Sequence, residues 1–156
     1  EPLIGFEYIL DCARRLHRDG LVNVLVTNGM IEQAPFAELL PWIDALNIDL
    51  KGWQPGFYKN ICGGDLETVK LRIEEAAVSC HVEVTTLLIP GLNDREDDIE
   101  AMAVWLALID RKLPWHLTRY HPAYKRAEPQ PIDIGRLTML AELAGKYLDH
   151  VLLGNI

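Results

Sequence analysis

The amino-acid sequence predicts an α/β fold, a partial β/α (TIM-like) barrel of about five parallel strands. Two observations carry this reading. Five strand-like runs are separated by helix-length segments at spacings of roughly 25–35 residues, which requires parallel pairing through right-handed crossovers. Several of those runs also alternate polar residues toward their carboxyl ends: Asn47/Asp49/Lys51, Glu83/Thr85 and Arg119/His121. Strands of a doubly wound sheet are covered on both faces and tend to be apolar throughout. A polar inner face suits a barrel whose lumen holds a ligand, so we expect the barrel arc over an open doubly wound sheet.

Each element follows from a local pattern. Residues 4–19 carry Phe6, Ile9, Leu10, Ala13 and Leu16, a 3.6-residue stripe that stops at Gly20. Val22 to Thr27 reads as a strand closed by Asn28-Gly29, and a short helix over 32–40 ends at Pro41. Ala45 to Lys51 is the second strand. Side chains two apart share a face, so Ile48 and Leu50 lie opposite Asn47, Asp49 and Lys51. A polar loop with Gly63-Gly64 leads into a helix over 65–79, with Val69, Ile73, Ala76 and Ala77 on one side. Val82 to Ile89 is the longest strand and breaks at Pro90-Gly91-Leu92-Asn93-Asp94. The helix over 95–109 uses Ile99, Met102, Ala103 and Leu106 as its core face. Trp115 to Tyr120 is a strand stopped by His121-Pro122, and a Pro-rich loop over 122–134 precedes the last helix, 135–148. Val151 to Gly154 closes as a strand.

Composition narrows the function. The 156 residues suit one domain, spanning 1–156, with no repeat, low-complexity tract or linker. A net charge of −8 argues against a nucleic-acid or anionic-membrane surface, since both need clustered Lys and Arg. No apolar run approaches the ~20 residues of a membrane span, and the start lacks a signal pattern; a cytoplasmic location is expected. Cys12, Cys62 and Cys80 form no CxxC pair and read as buried, inert thiols. The signatures GxGxxG after a strand, GxxxxGK[ST], HExxH and GxSxG are absent.

The chemistry is expected where parallel strands end. Those ends present Thr27-Asn28-Gly29, Asp49-Leu50-Lys51, the 90–94 turn, Arg119-Tyr120-His121 and Asn155. At an effective dielectric of ~20, charges ~4 Å apart attract by ~4 kcal/mol before desolvation is subtracted. Asp49 and Lys51 therefore make either a structural ion pair or a clamp for a zwitterionic or ribose-bearing ligand. Arg119 reads as an anion clamp or an acid's partner, and His121 as a hydrogen-bonded rim residue or a ligand contact.

Taken in order, EP, VLVTNG, NIDLKG, VEVTTLLIPGLND and LTRYHPAYK resemble the radical S-adenosylmethionine (SAM) superfamily, in its pyruvate formate-lyase-activating-enzyme-like branch. The sequence is most similar there to the AmmeMemoRadiSam-system enzymes. The resemblance runs over nearly the whole chain and implies a radical SAM oxidoreductase. In such an enzyme a [4Fe-4S] cluster binds SAM, and reductive cleavage generates a 5′-deoxyadenosyl radical. It also implies cofactor-binding roles for Glu1, Thr27, Asn28, Asp49, Lys51 and His121: Glu1 near the SAM amino group, Asp49 and Lys51 beside its polar groups, His121 near its ribose. The implied partners are SAM, a reductant and a protein substrate of the glycyl-radical type. The CxxxCxxC loop that carries the cluster in this family is missing, so the resemblance puts the cluster's ligands outside this chain. With Glu1-Pro2 at its start, the chain is expected to be the central and C-terminal portion of such an enzyme, inactive alone. The alternative is a self-contained doubly wound binding or regulatory module without radical chemistry.

Overall fold

The computed structural model describes residues 1–124 and 128–156. A 3₁₀ turn (Pro2–Gly5) leads into α1 (Phe6–Arg18), and β1 (Val24–Thr27) and α2 (Gln33–Leu39) follow. After a second 3₁₀ turn at Leu40–Trp42 come β2 (Ala45–Asp49), the short α3 (Pro55–Phe57) and a π-helical turn, Tyr58–Cys62. The remaining elements are α4 (Leu66–Ala77), β3 (His81–Leu88), α5 (Glu96–Ile109), β4 (Trp115–Arg119), α6 (Ile134–Ala144) and β5 (Val151–Gly154). The sheet is five-stranded and all parallel, in the order β1-β2-β3-β4-β5. Doubly wound sheets reverse their strand order at a switch point. This order never reverses, which decides for the barrel arc and against the open alternative. Among the described residues, no helix is long and apolar enough to cross a membrane.

The chain divides into two compact units. The first comprises Glu1–Leu50 and Glu67–Glu83, the second Lys51–Leu66 and Val84–Ile156.

In the first unit β1 and β2 pair in register from Val24↔Ala45 to Thr27↔Ile48. Leu46, Ile48 and Leu50 are buried, while Asn47 and Asp49 on the opposite face are half-buried, the two-faced pattern the alternation predicts. Leu10, Ala13, Leu25, Phe36, Leu39, Val69, Ile73 and Ala76 complete this core. Burying such side chains stabilises by ~1.5–3 kcal/mol for each large one. Helix α1 stops as expected: Gly20, at φ +75°, closes the last turn, and the Leu21 N–H reaches the Leu16 oxygen at 3.0 Å.

The first strand begins two residues later than its sequence suggests. Asn23 is buried and committed elsewhere: its amide N–H donates to Asp44 Oδ2 (2.7 Å) and its Nδ2 to the carbonyls of Ala13 (2.9 Å) and Trp42 (2.8 Å). Those bonds tie α1 and the second 3₁₀ turn to the strand entrance before any ladder forms.

In the second unit Val84–Leu88 of β3 pairs with Trp115–Arg119, and Trp115–Thr118 with Val151–Gly154. Trp115 is fully buried, its indole N–H satisfied by Thr86 Oγ1 at 2.9 Å. Ile99, Met102, Ala103 and Leu106 of α5 are buried without exception, as their spacing predicts, with Leu137, Leu140 and Ala144 of α6. The last helix is shorter than expected: Asp133 caps its start by accepting the Arg136 N–H at 3.1 Å, and Gly145 caps its end four residues early.

The segment expected as a loop before α4 is partly helical. Pro55 starts α3, where its missing N–H is not needed. Gly63, left-handed at φ +69°, ends the π turn and lets the Gly64 N–H return to the Tyr58 oxygen at 3.0 Å.

Candidate functional site

At the carboxyl end of β1 the first unit gathers Glu1, Thr27 and Asn28. Glu1 Oε1 accepts from the Leu3 N–H (3.1 Å) and the Thr27 hydroxyl (2.8 Å), and Oε2 accepts from the Asn28 N–H at 2.7 Å. Thr27 Oγ1 in turn accepts from the Gly29 N–H at 3.2 Å, and Asn28 Oδ1 from the Met30 N–H at 2.8 Å. An ionised carboxylate offers about four lone-pair directions. Three are engaged by the chain itself, so Glu1 acts first as a latch that shapes the Thr27-Asn28 turn.

Gly29 is obligatory in that turn. It sits at φ +72°, and a Cβ there would lie 3.0 Å from Ile48 Cγ2 and 3.3 Å from Val69 Cγ1. Asp49, last in β2, lies half-buried on the same strand face as Asn47.

The second unit carries Lys51 and His121. The Lys51 N–H donates to Tyr58 Oη at 2.9 Å, and its carbonyl accepts from Asn93 Nδ2 at 2.7 Å. Asn93 also donates to the Leu87 carbonyl (2.8 Å) and accepts the Ile89 N–H (2.7 Å). This buried amide therefore joins the end of β3, its following turn and the Lys51 backbone. Sequence reasoning saw Asn93 as one member of a rim turn and missed its stapling role; the signal was an amide two residues after Gly91, where a turn must close on itself. Next to Lys51, a Cβ on Gly52 would lie 2.9 Å from Phe57 Cδ1, so glycine admits the Phe57 ring.

His121 is exposed, with Nε2 3.1 Å from the Asn155 carbonyl oxygen. Asn155 Nδ2 donates to the Arg119 carbonyl at 3.3 Å, and Arg119 Nε to the Ile132 carbonyl at 2.8 Å. Two further histidines have plainer surroundings: His17 meets the Trp42 ring edge-on at 5.6 Å, and His81 faces Glu83 at 3.2 Å.

The cysteines do not fit an iron–sulfur cluster. Cys12 and Cys80 belong to the first unit and Cys62 to the second. Among the described residues no group of three or more His, Cys, Asp or Glu is placed to hold a metal. Burial pushes the Cys62 thiol above its ordinary range, with the Lys51 ammonium opposing the rise. Cys80 is pushed up by burial and then by the Asp44 carboxylate.

No protein-family model matches the chain. An uncharacterized protein of Methanocaldococcus jannaschii is 36% identical across the whole chain, which spans 47% of that protein. A probable GTP 3′,8-cyclase of Methanococcus aeolicus is 30% identical over 68% of this chain and 38% of its own length. The chain thus spans less than half of either curated relative. Among solved structures, a domain of pyruvate-formate lyase-activating enzyme from Bacteroides vulgatus superposes with a TM-score of 0.86, covering 99% of this chain and 94% of that one at 22% identity. At that identity the likeness establishes the fold. It agrees with the resemblance to the radical SAM superfamily carried by the sequence motifs.

Proposed function

We propose that this chain is the central and C-terminal barrel portion of a radical SAM enzyme related to glycyl-radical activating enzymes. The observation that carries the reading is the near-complete overlay on the activating-enzyme domain. The order of polar strand ends from Thr27 to His121 supports it. SAM, when bound and reduced, supplies hydrogen-atom abstraction. The cluster that this chemistry requires would be held by residues other than the three cysteines described above.

The donor set suits SAM group by group. Asp49 supplies an acceptor for an ammonium, and Lys51 a cation for a carboxylate. Asn28 supplies amide protons beside a turn already shaped by Glu1, with the Thr27 hydroxyl turned toward that carboxylate. Glu1 keeps one direction of its carboxylate for an ammonium. His121 supplies a ring nitrogen for a sugar hydroxyl. A reductant, a protein substrate of the glycyl-radical type and a cytoplasmic setting belong to the same proposal.

The test is anaerobic turnover of the longer protein that the proposal implies, with dithionite and SAM, following methionine and 5′-deoxyadenosine. Both products should form in equal amounts, and Asp49→Asn should lower SAM affinity at least tenfold by calorimetry. Absence of both products from protein with a full complement of iron and sulfide would refute the activity. Unchanged affinity in Asp49→Asn would remove that residue from the binding set.

A further inference from the structure

Where β4 and β5 end, the second unit holds the His121 ring by one nitrogen. Nε2 lies 3.1 Å from the backbone oxygen of Asn155. A carbonyl oxygen only accepts, so the nitrogen facing it carries the proton. The neutral ring is then the Nε2–H tautomer, and Nδ1 keeps its lone pair.

The carbonyl is aimed by an uncommon piece of backbone. Asn155 stands at φ +59°, a left-handed conformation that asparagine tolerates far better than β-branched residues do. Its side-chain amide donates back to the Arg119 carbonyl at 3.3 Å, which ties the residue to the end of β4. The preceding Gly154 pairs with Thr118, and a Cβ there would lie 2.8 Å from Thr118 Cγ2. Close approach at Gly154 and the reversal at Asn155 together bring the carbonyl to a ring two residues beyond β4.

We propose that Asn155 is a positioning residue that sets the hydrogen-bond polarity of His121, so that Nδ1 is presented as an acceptor for a hydroxyl-bearing ligand group. An acceptor nitrogen favours a sugar hydroxyl and disfavours a carboxylate oxygen, which has no proton to give. The inference rests on reading His121 as a cofactor contact and specifies the cofactor's ribose as the group it meets.

The test is nitrogen-15 NMR of the His121 ring in this chain, above the pH at which the ring loses its charge. Nε2 should resonate as a protonated nitrogen and Nδ1 as an unprotonated one, fully separated. Asn155→Val, strained at positive φ and lacking the amide, should draw the two resonances toward each other. Asn155→Gly, which adopts the same backbone, should keep them apart. A wild-type ring protonated on Nδ1, or an Asn155→Val ring identical to wild type, overturns the proposal. In the longer protein with its cluster in place, adding SAM should then shift Nδ1 selectively. A fixed Nε2–H tautomer with no Nδ1 response to SAM keeps Asn155 in its role and counts instead against His121 as a cofactor contact.

Discussion

Asn93 gives both protons of its side-chain amide to backbone carbonyls, that of Lys51 at 2.7 Å and that of Leu87 at 2.8 Å. Its oxygen takes the Ile89 N–H at 2.7 Å, so every strong hydrogen-bonding group of the side chain is used, at 3% exposure. Asn93→Asp keeps the shape and removes both donors. Each buried group left without a partner costs about 1–3 kcal/mol, so Asn93→Asp should lower the unfolding free energy by roughly 2–4 kcal/mol in urea titrations at neutral pH. A loss below ~0.5 kcal/mol, the range of neutral surface changes, would show that the staple carries no weight.

The Glu1 latch is open to hydrogen exchange. A hydrogen bond to a charged acceptor contributes about 1.5–3 kcal/mol, and the Asn28 N–H has such a bond at 2.7 Å. Glu1→Ala should therefore speed exchange of the Asn28 amide by about tenfold or more while leaving the Leu117 and Ile99 amides unaffected. An unaltered Asn28 rate would mean that the turn holds itself.

Strand β1 stands at the edge of the sheet, and its outward row is apolar: Val24 and Val26 are 65% and 61% exposed, and Val22, just before the strand, is 73% exposed. Beside it lies a groove of about 400 Å³ lined in part by Ile9, Cys12, Leu16, Val24 and Val26. No Pro or Lys blunts this edge, and unprotected edges template pairing with other chains. The 156-residue chain should self-associate as concentration rises, by size-exclusion chromatography with light scattering. Val24→Lys together with Val26→Lys should restore a monomer. A wild-type monomer at all concentrations, with a sharp cooperative melt, would show that the edge needs no cover.

Cys62 and Lys51 are coupled through charge. Burial raises the thiol's pKa and the ammonium partly offsets the rise, so Lys51→Met should raise it further and slow alkylation of Cys62 at mildly alkaline pH. Cys80, which feels Asp44 instead, should react at its wild-type rate by mass spectrometry. The linkage has a definite sign. A thiol whose folded pKa lies above its unfolded value of ~8.5 stabilises the fold fully below that pH, and the contribution disappears as pH rises through the folded value. Stability should therefore fall on the alkaline side, and less steeply in Cys62→Ala. Faster Cys62 alkylation in Lys51→Met would reverse the assignment of cause.

Periodicity alone determined the α/β class, the succession of strands and helices, and the buried faces of β2 and α5; in β1 it misled, since the row of Val24 and Val26 is exposed and that of Leu25 and Thr27 is buried. The two faces of Leu46–Leu50 and the four core positions of α5 follow from spacings of two and of 3.6 residues, which depend only on backbone geometry. Boundaries were less legible, because long-range bonds compete for terminal residues. Asn23 leaves the strand for Ala13, Trp42 and Asp44, and the π turn at Tyr58–Cys62 has no period of its own and closes through Gly63. The site divided in the same way. Thr27, Asn28, Asp49, Lys51 and His121 were visible as polar residues at strand ends. That Glu1 is engaged by the Thr27-Asn28 turn, that Asn93 reaches Lys51 and that Asn155 faces the His121 ring was decided by tertiary structure alone. Each is a hydrogen bond spanning more than 25 residues of chain, and only the folded backbone brings such groups within reach.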